Sequence, residues 1–182
     1  MKIFLKEVIS SIKNIGAIAP SSRFLAKNIL SDINFEDTQI ILEFGTGNGA
    51  ITKHILKRLP ENSRLISLEI NEQFYKHCQV KFKDYENFEV HNHSAITFED
   101  VLATHGIEKV DHLISSLPLA ILPKNDLDIL FDKIPHYIED NGSFIQYQYS
   151  LNKYRFLKDI FETVKLGFTF TNIPPAFVYK CY

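Results

Sequence analysis

The chain contains no tryptophan, one methionine and two cysteines in 182 residues. Cys78 and Cys181 stand far apart and form no C-x-x-C pair. A disulfide framework or structural zinc site is therefore not expected, and a reduced, cytoplasmic setting fits best. No apolar run approaches the roughly 20 residues needed to span a bilayer. The amino terminus lacks an apolar block followed by a small-residue cleavage site, so no secretion signal is expected. There is no internal repeat, low-complexity tract or Gly/Ser linker, which leaves no point at which a second domain would begin. What remains, 45% hydrophobic and 23% charged residues, is the composition of one soluble globular domain with ample material for a core.

The net charge of -2 is unevenly spread. Residues 1–30 carry Lys2, Lys6, Lys13, Arg23 and Lys27 against Glu7 alone, a net +4, so the remainder is acidic. A general nucleic-acid binder would spread positive charge over a broad face. A basic head on an acidic body reads as a local anchor instead.

Short apolar runs at 39–44, 64–69, 88–91, 110–115 and 143–149 alternate with longer stretches of helical spacing, such as 50–58 and 71–83. That alternation predicts right-handed crossovers and a mostly parallel sheet covered by helices on both faces. A helix is predicted over 152–163, followed by β-rich runs at 166–171 and 176–182. The short Asn172-Ile173-Pro174-Pro175 turn between those runs joins only antiparallel neighbours. The expected architecture is a seven-stranded α/β sheet, with residues 32–182 as its core and residues 1–31 as covering helices.

In the head, Phe4, Leu5, Val8, Ile9, Ile12 and Ile15 fall within an arc of about 140° at about 100° per residue. Lys2, Lys6 and Lys13 border that arc. Such a helix either covers the core or lies in a membrane interface with its lysines on anionic head groups. The two roles are compatible. Pro20-Ser21-Ser22-Arg23-Phe24 signals a second helix with a serine cap. It reads either as an anion-facing terminus carrying Arg23 or as a capping turn with an exposed arginine.

The most informative stretch runs Ile41-Leu42-Glu43-Phe44-Gly45-Thr46-Gly47-Asn48-Gly49-Ala50. A strand enters three alternating glycines and then a helix, a form in which backbone and ligand approach closely. Gly45, Gly47 and Ala50 also satisfy the G-x-G-x-x-A dinucleotide fingerprint. Glu43 argues against a pyrophosphate, because it places negative charge beside the loop; it suits a cationic ligand such as the sulfonium of S-adenosylmethionine. Glu69, 24 residues after Gly45, ends the next strand, where an acid accepts from both ribose hydroxyls. Adenine is expected beside Ser94 and Ala95, after the third strand. His91 and His93 share metal-like H-x-H spacing, but without nearby Cys or carboxylate partners no metal is expected. Past the fourth strand, Ser115-Ser116-Leu117-Pro118 should line the crevice, with the serine hydroxyls and carbonyls orienting an amine. Transfer to an amine needs a deprotonated nucleophile held in line, and no dedicated base is assigned.

The segments Gly16-Ala17-Ile18-Ala19-Pro20-Ser21-Ser22, Leu42-Glu43-Phe44-Gly45-Thr46-Gly47-Asn48-Gly49, Ser115-Ser116-Leu117-Pro118-Leu119 and Phe144-Ile145-Gln146-Tyr147 occur in this order. Together they resemble the small bacterial phospholipid N-methyltransferases, relatives of the rRNA adenine dimethyltransferases. The resemblance implies a class I, Rossmann-like methyltransferase using S-adenosylmethionine and releasing S-adenosylhomocysteine. It implies successive methylation of phosphatidylethanolamine towards phosphatidylcholine by a peripheral enzyme whose amino-terminal helix touches the membrane. The inner, anionic membrane face is the expected location and a monomer the expected form, although the sequence does not report the oligomeric state. Carried over by position, Glu43, Gly45, Thr46, Gly47 and Gly49 bind cofactor, with Glu69, Ile70, Ser94, Ala95 and Ser115. Ser115, Ser116, Leu117 and Pro118 shape the catalytic amine site, and Ser21, Ser22, Arg23, Tyr147 and Tyr149 contact the lipid. Two positions depart from the family: Ser94 stands where an acid is usual, and Ser116 where glycine is common.

The rRNA relatives carry an N-x-P-[YF] loop whose aromatic side chain stacks on the target base. Here Ser116 and Leu119 occupy those positions, so nucleic acid is not the expected partner. A small soluble amine is the other enzymatic alternative. A cofactor-binding membrane protein without turnover is the non-enzymatic one.

Overall fold

The computed structural model describes residues 23–172 and 174–182. The basic head, Ser21, Ser22 and the predicted serine cap lie outside the described residues. Helix α1 (Arg23–Ile29) precedes β1 (Ile40–Phe44), α2 (Thr52–Leu56), β2 (Arg64–Leu68), α3 (Glu72–Lys81) and β3 (Phe88–His91). Then follow α4 (Phe98–Thr104), β4 (Val110–Ser115), α5 (Lys124–Lys133), β5 (Ile138–Gln148), α6 (Tyr154–Lys158), β6 (Val164–Thr169) and β7 (Ala176–Cys181).

The sheet has the order β3-β2-β1-β4-β5-β7-β6. Strands β1 to β5 pair in parallel, and β7 lies antiparallel to both β5 and β6. This is the expected class I methyltransferase sheet. Continuous apolar runs such as Ile40-Ile41-Leu42 are what a strand buried on both faces requires. Leu42, Phe44, Ile66 and Leu68 pack into one core with α4 and α5, while Ile41, Leu65 and Ile114 face the opposite core with α1 and α2.

Three elements differ from expectation. Strand β5 begins at Ile138 rather than 143, because its exposed opening Glu139-Asp140-Asn141 has no apolar alternation to read. Its register against β4 is irregular between Val110 and His112. Helix α6 spans five residues rather than the twelve predicted, and β6 begins at Val164, two residues early.

The hydrogen-bond register also fixes the direction of the hairpin. Ser115 pairs with Gln146, Gln146 with Tyr179, and Tyr179 with Leu166. Strand β6 therefore runs parallel to β5, and its carboxyl end rises to the same edge as the crevice loops.

Candidate active site

The glycine loop follows β1 at the carboxyl edge of the sheet. Gly45, Gly47 and Gly49 all have φ between +52° and +79°, a region costly for any residue with a Cβ. Two of them are closed by neighbours as well. A Cβ on Gly45 would lie 2.5 Å from Ser116 Oγ, and one on Gly49 would lie 2.5 Å from the Phe82 ring. Gly47 has nothing within 4 Å of that position, so space stays open beside its backbone.

Glu69, at the tip of β2, is 4% exposed. Its Oε2 accepts from Gly47 N–H at 2.8 Å and Thr46 Oγ1 at 3.4 Å, and its Oε1 from Asn71 N–H at 2.8 Å. Burial nevertheless raises its pKa above the usual carboxylate value. A carboxylate offers about four acceptor positions, so Glu69 braces the loop with capacity left for a hydroxyl. The site thus fits a nucleoside cofactor: an open glycine backbone beside an anchored acid.

Glu43 differs from expectation. Its side chain is turned into the protein on the α2 face, and its carboxylate accepts from Thr52 Oγ1 and Ser67 Oγ at 2.8–3.0 Å. Ser67 is its ladder neighbour on β2, and Thr52 opens α2. Burial pushes its pKa up to about 7, against the pull of those hydroxyls. The structure therefore gives Glu43 a positioning role, tying the strand before the glycine loop to the helix after it.

The serines differ as well. Ser116 donates to the carbonyls of Phe44 and Gly45 at 3.0 and 2.6 Å, locking the β4 loop against the glycine loop rather than facing an amine. Ser115, 1% exposed, accepts from Leu117 N–H at 3.2 Å. Ser94 accepts from Ile96 N–H and caps a short 3-10 turn, which leaves its hydroxyl proton for other partners. Ala95 is buried and Ile70 is half-buried against the same core. Leu117 is buried and Pro118 half-buried.

Sequence reasoning missed two tethers. Asn92 donates to the Glu69 carbonyl at 2.8 Å and ties the β3 loop to the β2 tip. Gln146, fully buried on β5, donates through Nε2 to Leu117 O at 3.1 Å and Tyr147 O at 2.7 Å, while its Oε1 has no partner. A polar residue inside the apolar Phe144-Ile145 run was the available signal. Tyr147 and Tyr149 stand 6.3 Å apart beyond this point, ring planes at 80°, and Arg23 lies over the Phe24 ring at 4.9 Å.

The H-x-H pair does not converge. His93 approaches Thr97 and Asp100, whereas His91 gathers with Glu89 and His105 on the sheet edge. Arg64 holds Glu89 at 2.7 Å and reaches His105 Nδ1 at 3.0 Å. A carboxylate thus stands two residues upstream of His91 on β3 itself, next to it in the sequence, and it is held by an arginine.

Residues 21–138 match the family model for ribosomal RNA adenine dimethylase. The chain belongs to that family. An ornithine lipid N-methyltransferase from Singulisphaera acidiphila is 31% identical over 180 residues, covering 98% of this chain and 94% of its own length. The ribosomal RNA small subunit methyltransferase A of Thermotoga neapolitana is 25% identical over 109 residues, 60% of this chain and 38% of its own. Among solved structures, Aeropyrum pernix fibrillarin with bound S-adenosyl-L-methionine superposes with a TM-score of 0.66 at 14% identity, covering 87% of this chain and 74% of that one. An rRNA methylase from Streptococcus thermophilus gives 0.62 at 19% identity, with 86% and 90% covered. The protein is an S-adenosylmethionine-dependent methyltransferase.

Proposed function

We propose that this enzyme methylates the amine of a membrane-lipid head group, taking phosphatidylethanolamine or an amine lipid of the ornithine type through successive methyl additions. The observation that carries this reading is the extent of similarity to the ornithine lipid enzyme, which runs over 98% of this chain. The sequence motifs support phosphatidylethanolamine, and the relative supports an ornithine lipid. Both present a primary amine on a lipid.

S-adenosylmethionine supplies an electrophilic methyl group at neutral charge cost to the protein, since the leaving thioether is uncharged. The chain's task is to hold a neutral amine in line and exclude water. Glu69 takes the ribose hydroxyls, and Gly45, Thr46, Gly47 and Gly49 admit the amino-acid portion. The Leu117 carbonyl is held in place by Gln146 beside the emerging amine. Bound there, the cofactor would give its methyl group to the amine and leave as the uncharged thioether, and the amine proton would pass to solvent. Arg23 pairs with an anionic group of the lipid, Tyr147 and Tyr149 flank its head group, and the basic head touches the membrane.

One observation weighs against RNA as substrate. Leu119, at the position where the rRNA relatives stack an aromatic side chain, is 0% exposed and lies in the core.

Radiolabelled methyl transfer to vesicles containing phosphatidylethanolamine, to vesicles containing ornithine lipid and to small-subunit rRNA tests the reading. Label in either lipid supports it and names the head group. Cofactor binding with label in RNA or in no lipid overturns it.

A further inference from the structure

Ten large apolar side chains stand exposed among the described residues, and six of them lie towards one edge of the sheet. Ile121 sits in the loop after β4, while Tyr149 and Leu151 follow β5. Phe168, 55% exposed, lies at the level of Gln148, and Phe170, 74% exposed, stands just past the end of β6. All five are on the carboxyl edge, around the strands that frame the amine site.

Helix α1 adds a sixth. Lys180, level with Lys165, holds Asp32 at 2.6 Å, whereas Asn28 donates to Thr169 at 2.9 Å. Read backwards from Asp32, the chain therefore climbs towards the carboxyl edge. Arg23 and Phe24 lie a further turn, about 6 Å, beyond Asn28. Phe24 is 47% exposed and carries the Arg23 guanidinium over its ring.

We infer that this rim, formed by Phe24, Ile121, Tyr149, Leu151, Phe168 and Phe170, is the face that seats on an anionic lipid bilayer, with Phe168 and Phe170 entering the acyl boundary. The inference deepens the lipid reading above and rests on it. A lipid whose acyl chains stay in the bilayer can reach the amine site only if the mouth of the cleft abuts the membrane. The mouth is the edge where the apolar side chains collect. Contiguous exposed apolar groups on a soluble protein mark a contact surface, and Arg23 and Lys27 bring positive charge to it.

The absence of tryptophan provides a clean probe. Phe170→Trp places the chain's single indole on the rim. With vesicles of phosphatidylglycerol and phosphatidylethanolamine, its emission should shift to the blue and be quenched by brominated acyl chains. The double variant Phe168→Ser/Phe170→Ser should lose vesicle affinity by about tenfold or more, with cofactor affinity and melting temperature retained.

An indole that stays solvent-exposed while the protein sediments with vesicles overturns the rim. So does an indole already buried without lipid, which would mean that the head or a second copy covers the surface. If vesicle lipid is methylated while the indole is silent, the lipid reading stands and the rim fails. If the indole inserts but no lipid amine is methylated, the rim stands and the substrate fails.

Discussion

The side-chain amide of Gln146 donates to the main-chain carbonyl of Leu117 at 3.1 Å, linking β5 to the loop that follows β4. Because Gln146 is fully buried, the bond is shielded from water and holds the loop after β4 in one place. Gln146→Leu keeps the volume but removes that tie, leaving the Leu117 carbonyl to the Leu119 N–H alone. The expected outcome is a loss of about fivefold in kcat/KM for lipid, near 1 kcal/mol for one net hydrogen bond, with cofactor affinity unchanged by calorimetry. Unchanged turnover would remove Gln146 from the site.

Glu69→Ala should weaken cofactor binding on the order of a hundredfold, as two charge-assisted hydrogen bonds at roughly 1.5 kcal/mol each are lost. The Gly47 N–H also loses its 2.8 Å partner. Near-normal binding by calorimetry would show that the acid serves the loop alone.

Glu43 predicts a pH signature. Its pKa is about 7 in the folded protein against a usual 4.5, with burial as the cause. An acid raised on folding stabilises the fold while protonated. That contribution is complete below about pH 4.5 and is lost as pH rises through 7, a difference of about 3 kcal/mol for a shift of this size. Glu43→Gln, which does not ionise, should gain melting temperature relative to the parent between pH 5 and 8. Parallel melting curves across that range would mean that the carboxyl titrates normally.

Lys180 is buried on β7 and pairs with Asp32 at 2.6 Å. The Lys180 hydrogen bond is also the main cause holding the Asp32 pKa below its usual value. Asp32→Ala leaves the ammonium uncompensated and should cost about 2 kcal/mol, less than a fully buried pair because Asp32 is partly exposed. Adding Lys180→Met should restore most of the loss in chemical denaturation. Since the Asp32 pKa is lowered, this stabilisation is present above about pH 4 and fades as pH falls through the folded value.

Much of the framework was legible in the chain. Strands β3 and β4 were predicted residue for residue, and β1 and β2 within one; in the central β1 and β2, burial on both faces leaves a nearly continuous apolar run. The antiparallel ending was legible because a four-residue turn permits nothing else. Strand β5 was read five residues short where Glu139, Asp140 and Asn141 face solvent and break the pattern. The glycine loop was legible because positive φ at Gly45, Gly47 and Gly49 restricts the residue type.

Side-chain direction was not legible. Glu43, Ser94 and Ser116 all sit where the motif placed them, yet each hydrogen-bonds to the chain itself. Of their partners, Thr52, Ser67, Phe44 and Gly45 come from neighbouring elements that no local pattern brings together, whereas Ile96, two residues after Ser94, is a local turn partner. His105 reaches His91 and Glu89 only through the fold.

The sequence by itself determined the α/β alternation, the place of the glycine loop and the acid at the second strand tip, since each is written in backbone restriction or periodic burial. Only the tertiary structure decided that β7 inserts between β5 and β6 and thereby turns β6 parallel to β5. That reversal carries Phe168 and Phe170 to the edge of the sheet that also bears the glycine loop. Strand order and direction are settled by pairing between distant segments, where the free energy depends on which faces can be buried together, and no stretch of chain carries that information alone.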